Sequence, residues 1–179
     1  MDALIQRDVR EIASTEKLDQ MPRLLRAIAH TSGQLYNFAQ LGGAVGLDAK
    51  TAARYLAVFE HMFLLRRLSP WAANRLARVV KSPKLHFVDA GLLASLTGLG
   101  EAAVAADCTR FGPVLEAWVA GELLKQLGWG DDGVELHHYR DKDQAEVDFV
   151  LESPDGRLLG IEVKASATVA TSDFAGLRK

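Results

Sequence analysis

The chain of 179 residues is 49% apolar and 25% charged, an ordinary balance for a globular protein with a real core, arranged as one large or two small domains. Cys108 is the single cysteine, which excludes an intrachain disulfide and a cysteine-rich zinc site; no stretch approaches the ~20 uncharged apolar residues of a membrane span. The net charge of −2 hides an asymmetry: residues 1–100 carry 13 Lys/Arg against 8 Asp/Glu and residues 101–179 carry 8 against 15, so the front half suits an anionic partner and the rear half a cation.

The opening Met-Asp-Ala-Leu-Ile-Gln-Arg-Asp lacks the charged-then-apolar order of a signal peptide. A reduced, cytoplasmic setting is therefore expected, with Cys108 read as a small half-buried hydrophobe. After a charged helical start, a helix begins near Pro22, a residue tolerated at the first helical position. Leu24, Leu25, Ile28 and Ala29 form its buried stripe and Gly33 ends it. A short helix over roughly Leu35 to Leu41 is broken by Gly42, Gly43 and Gly46. Asp48 then caps a third helix, Ala49 to about Met62. Ala52, Leu56, Phe59 and Phe63 recur at helical spacing as its inner face, with Lys50, Arg54 and His61 on the opposite side.

Two strands follow, Leu64 to Leu68 and Lys84 to Val88. Between them lie Arg75, Arg78 and Lys81, with no Asp or Glu from Ser69 to Lys84. Helix, turn, helix and a basic hairpin is the layout of a winged helix. In that fold the third helix can enter a DNA major groove while the hairpin loop touches the backbone. Winged helices also serve as protein-contact modules, and Lys50 and Arg54 equally suit a plain solvated face. A small-residue region, Gly98 to Asp107, separates the two patterned halves.

The rear half starts with a helix from Pro113 to about Leu127, stopped by Gly128. Its apolar arc includes Leu115, Trp118, Val119, Leu123 and Leu127. Glu116 and Glu122 fall within or beside that arc, about 120° apart, and so face different partners. A strand, Glu135 to Tyr139, precedes the turn Arg140-Asp141-Lys142-Asp143-Gln144. Then come Ala145 to Leu151 and Leu158 to Lys164, joined by Ser153-Pro154-Asp155-Gly156. Alternation puts Glu162 and Lys164 on one face, with Ile161 and Val163 on the other. Carboxylates at the centre of apolar strands are costly unless something pairs with them. Two of them on adjacent strands, Asp148 and Glu162, can hold Mg²⁺ through oxygen ligands. A lysine two residues beyond an acid can orient water or stabilise charge. His86, His137 and His138 lack a ligand spacing and read as surface or strand residues, and Trp71, Trp118 and Trp129 as packing anchors.

A helix glutamate, Asp148 and Glu162-Val163-Lys164 together resemble the P-D-(D/E)-x-K nuclease superfamily. More narrowly, the chain from about Ile5 to its end resembles the C-terminal region of prokaryotic AAA-type ATPases, known as domain of unknown function 4143. The segments that carry this are Ser82-Pro83-Lys84-Leu85-His86-Phe87-Val88-Asp89-Ala90-Gly91-Leu92, Leu115 to Val119, Tyr139 to Asp143, Glu146 to Val150 and Glu162-Val163-Lys164. The resemblance implies a catalytic quartet of Glu116, Asp148, Glu162 and Lys164, with Glu116, Asp148 and Glu162 as Mg²⁺ ligands. Glu122, Glu146 and Arg140 are further candidates. Val147 stands where the superfamily has its proline. No Gly-x-x-x-x-Gly-Lys-Ser/Thr loop is present, so ATP would belong to an upstream domain outside this sequence.

The expectation is an α+β chain truncated at both ends, its last residues reading as an interrupted helix: a winged-helix domain over residues 1–98 and a nuclease-like sheet domain over 108–179. Lys50, Arg54, Arg75, Arg78 and Lys81 would meet DNA. A Mg²⁺-dependent phosphodiesterase and an inactive module that recognises a protein partner for the ATPase are both consistent with it. No membrane and no small-molecule substrate are indicated.

Overall fold

A computed structural model describes residues 18–74, 76, 78, 82–130, 132–166 and 168–178. The charged start, Arg75 and Lys81 lie outside the described residues. The chain is a mixed α+β structure with a two-stranded and a three-stranded antiparallel sheet. Among the described residues no helix is long and apolar enough to cross a membrane.

Helix α1 (Met21–Ala29) carries Pro22 in its first turn and buries Met21, Leu24, Leu25, Ile28 and Ala29. Helix α2 (Phe38–Gly43) begins later than the sequence suggests because Asn37 caps it, its side chain accepting from the Ala39 N–H at 2.8 Å. Gly42 and Gly43 lie inside this helix; the left-handed turn falls at Gly46. Helix α3 (Ala49–His61) is capped by Asp48, which accepts from the Thr51 N–H at 2.9 Å. Its inner face is Ala52, Tyr55, Leu56, Val58 and Phe59. Phe63 departs from expectation: the helix has already ended, φ is +56° and the ring is 77% exposed.

Strands β1 (Leu65–Leu68) and β2 (Lys84–Phe87) pair antiparallel, Leu65 opposite Phe87. Two helices that the sequence reading missed fill the region between the halves. These are α4 (Ala90–Thr97), capped by Asp89 and ended by Gly98 at φ +66°, and α5 (Glu101–Ala106). Helix α6 (Gly112–Trp129) runs through Gly128. Its buried line is Val114, Ala117, Ala120 and Gly121, small residues that admit close neighbours, so Trp118 is 54% and Trp129 83% exposed rather than anchored. Cys108, in a 3-10 turn before α6, is exposed and not half-buried.

The second sheet has the order β3 (Glu135–Arg140), β4 (Glu146–Glu152), β5 (Leu158–Ile161). Strand β5 ends at Ile161, so Glu162 to Lys164 lie just beyond it. A large apolar cluster joins α1, α3, the first sheet and α4 to Val114 and Ala117 of α6. A smaller one packs Leu68, Ala120 and Phe149 with Val119, Leu123, Leu136, Ile161 and Val163. Helix α6 thus serves both. The sheets are also stitched together directly: His138 N–H donates to Ser69 O (3.1 Å) and Trp71 N–H to His138 O (2.6 Å).

Candidate functional site

Strand β2 is buried at all four positions, and its two faces differ in kind. Leu85 and Phe87 enter the large apolar cluster. Lys84 and His86, 1% and 2% exposed, turn the other way toward α6 and the second sheet. A buried ammonium is costly unless carboxylates surround it. Three do: Lys84 Nζ lies 2.5 Å from Glu146 Oε1, 3.5 Å from Glu116 Oε1 and 3.7 Å from Asp148 Oδ1.

The backbone explains how β4 delivers its two acids. His137 pairs with Val150 and Tyr139 with Val147, so two residues of β4, Asp148 and Phe149, stand opposite His138 alone. This bulge breaks the period-two alternation. Glu146, Asp148 and Phe149 are all brought to the side of α6 and β2, while Val147 and Val150 share the other side with Tyr139 and Trp71. The alternation of β4 is therefore interrupted between Asp148 and Phe149.

The electrostatics follow from burial. Desolvation alone would lower the Lys84 pKa, but the Glu116, Glu146 and Asp148 charges hold it above its usual value, so the ammonium stays charged. Glu116 moves in the same direction, up to about 7, although it is a partner of that lysine. Burial outweighs the Lys84 attraction, and Asp148 and Glu146 add repulsion. Both directions are physically consistent because the lysine charge is shared among three acids and lies nearest Glu146. His86 is held down to about 3 and His138 to about 4, by burial first and by Lys84 second, so both rings are neutral. Glu116 also packs against a glycine: a Cβ on Gly33 would lie 2.7 Å from Glu116 Oε2.

The expected quartet is divided. Asp148 and Glu116 meet around Lys84; Asp148 also accepts the Val163 N–H at 2.8 Å. Glu162 instead pairs with Lys164 at 2.7 Å, and its Oε2 is buried without a partner. Among the described residues, the one group of three whose ligand atoms all lie within 4.8 Å is Glu135, His137 and Glu152, on the other side of the sheet. There Arg78 already binds both oxygens of Glu152. The acids Glu116, Asp148 and Glu162 do not fit a divalent ion in this arrangement, because an internal ammonium stands among two of them.

Of the remaining candidates, Glu122 pairs with Lys125 on the exposed side of α6. Arg140 lies 3.4 Å from Glu146 and also reaches Gln144. Lys50 and Arg54 are exposed on α3, the Arg54 guanidinium 5.6 Å from the Tyr55 ring centre. Arg78 turns inward to Glu152 instead of outward. Lys84 and His86 were missed as site residues. Their signal was alternation within β2, two polar side chains interleaved with Leu85 and Phe87.

Residues 1–103 match the family model described as domain of unknown function DUF8612, and residues 111–179 match domain of unknown function DUF4143. The resemblance to the latter thus holds for the rear of the chain, whereas the front matches a different family. Uncharacterized proteins of Mycobacterium bovis and Mycobacterium tuberculosis are each 30% identical over 168 residues, covering 94% of this chain. The chain spans 37% of the length of these relatives. No solved structure matches the chain significantly.

Proposed function

The chain belongs to the family known as domain of unknown function DUF8612, and we propose that it acts as a non-catalytic binding module whose nuclease-like acidic cluster is closed by its own lysine. One observation carries this reading: Lys84, 1% exposed, stands among Glu116, Glu146 and Asp148, where a nuclease would need a metal. A buried charge with three carboxylate neighbours is not readily displaced, since any incoming cation would have to expel or neutralise it. Calorimetric titration with Mn²⁺ tests the reading. The wild type is expected to show no binding at millimolar metal. Lys84→Ala, with the carboxylates released, gains binding, and adding Asp148→Ala removes it. Asp148-dependent binding by the wild type would overturn the proposal.

That result would favour a second reading, a Mg²⁺-dependent phosphodiesterase. Its support is the acid-x-lysine pair Glu162 and Lys164, together with the buried, unpartnered Oε2 of Glu162.

The partner we assign to the module is duplex DNA, met by the front half. Helices α1, α2 and α3 followed by the β1–β2 hairpin have the order of a winged helix, and Lys50 and Arg54 face solvent on α3. Lys50→Ala with Arg54→Ala should weaken binding and, if both meet phosphates, reduce the salt slope by about 2. An unchanged affinity would shift the assignment to a protein partner. In a longer protein of this kind, an AAA-type ATPase segment beyond this sequence would supply ATP hydrolysis and this module its targeting.

A further inference from the structure

A pocket of about 460 Å³ lies where Pro70, Ser82 and the β3–β4 turn meet. It contains His138, which is 1% exposed and fixed through its backbone to Ser69 and Trp71. The Ser82 backbone lies beside the imidazole, but no well-formed hydrogen bond reaches either ring nitrogen. A buried polar group of this kind calls for a partner. The neutral ring has one N–H to donate and one nitrogen to accept.

The other polar groups of the pocket are mainly donors. The guanidinium of Arg140 is positioned by Gln144 and by Glu146, and Lys142 is exposed. Ser82 adds a hydroxyl. Asp141 is the acid of the lining, but its Oδ1 is engaged by the backbone N–H groups of Asp143 (2.9 Å) and Ala145 (2.8 Å), which shape the turn. Leu35 and Pro70 contribute the apolar wall. A guanidinium, an ammonium, a hydroxyl and an imidazole N–H are the donor types that bind tetrahedral oxyanions.

We infer that this pocket binds a phosphate group, with His138 donating from its floor, the exposed Ser82 hydroxyl from its edge, and Arg140 and Lys142 supplying charge. The pocket adjoins the Lys84 cluster: the Lys84 and Glu146 charges act on His138, and the Arg140–Glu146 pair borders both. Two sources share this chemistry: a small phosphate compound and the 5′-phosphate of a nucleic-acid end.

Inorganic phosphate titrated into the full chain tests the inference, followed by calorimetry and by the ¹⁵N resonances of the His138 ring. Saturable binding with movement of those resonances is expected, weakened at least about tenfold in Arg140→Gln/Lys142→Gln. Lys142→Glu, at an exposed position, provides the same comparison should the double variant fail to fold. Static His138 resonances, or equal affinity in the folded variant, would overturn the inference. Oligothymidylates with 5′-phosphate and 5′-hydroxyl ends separate the sources. Preference for the phosphorylated end that depends on Lys142 supports a nucleic-acid terminus. Equal binding of both, with phosphate binding retained, supports a small phosphate compound.

Discussion

The two faces of β2 show two ways of building an interior. Leu85 and Phe87 join an apolar cluster that spans the front helices and reaches α6, whereas Lys84 and His86, one residue away each, sit in a charged one. The apolar cluster gains from every neighbour it excludes from water, in any order of assembly. The charged cluster is conditional: each group is tolerable only while its partners are present. Beside it, among the described residues, the second sheet packs on a smaller apolar nucleus, Leu68, Ala120 and Phe149 with Val119, Leu123, Leu136, Ile161 and Val163 around them. The fit of the rear sheet to β2 of the front sheet therefore rests in part on complementary charge.

Removing Lys84 should break this contrast most sharply. Lys84→Met leaves Glu116, Glu146 and Asp148 crowded together without a cation and should cost about 3–5 kcal/mol in denaturant unfolding at neutral pH. Adding Glu116→Gln, Glu146→Gln and Asp148→Asn should restore most of that loss, because a fully replaced ion cluster is often no worse than the original. Leu85→Ala, one residue along, should cost a comparable 2–5 kcal/mol or so through its cavity, with no recovery from the same three substitutions. Recovery of both variants, or of neither, would mean that the two faces are not energetically separate.

A somewhat smaller effect concerns pH. Glu116 titrates at about 7 in the fold against 4.5 ordinarily. Between those values the folded protein holds a proton that the unfolded chain releases, so rising pH removes stability through that window. At about 1.4 kcal/mol per pH unit, the contribution reaches about 3 kcal/mol. His86 and His138, with lowered pKa values, act oppositely, losing stability as pH falls below 6.5. The difference between wild type and Glu116→Gln, where those histidines largely cancel, should therefore move against the wild type by up to that amount from pH 4.5 to 7.5. A flat difference would show that Glu116 ionises normally.

The legible parts of the chain were those written in apolar periodicity and caps. The buried stripe of α1, the Asp48 cap and the strands on either side of Pro154 all follow from local pattern. Helix α4 is not among them although it has an Asp89 cap and a Gly98 stop, because its nearly continuous apolar sequence shows little helical period. Phe63 and Trp118 failed because a spacing rule cannot tell where a helix ends or which apolar face is used. At the site, Glu116 and Asp148 were identifiable as candidates. Their meeting with Lys84 was not, since it depends on a bulge in β4 and on α6 crossing β2, both tertiary facts.

Gly33 offers the finest test because it belongs to the front half yet touches the charged cluster. Its φ of +76° suits glycine, its N–H donates to Leu85 O at 2.9 Å, and an added Cβ would fall 2.7 Å from Glu116 Oε2. Gly33→Ala thus combines left-handed backbone strain, about 1 kcal/mol or more, with displacement of a carboxylate from its place beside Lys84. A total near 2 kcal/mol is expected in denaturant unfolding. In a Glu116→Ala background the clash is gone and only the strain persists, so the same substitution should cost about 1 kcal/mol. The double-mutant cycle isolates the contact between a front-half turn and a rear-half acid. Equal costs in both backgrounds would mean that Glu116 simply swings aside, and that the charged cluster tolerates its neighbours more loosely than its burial implies.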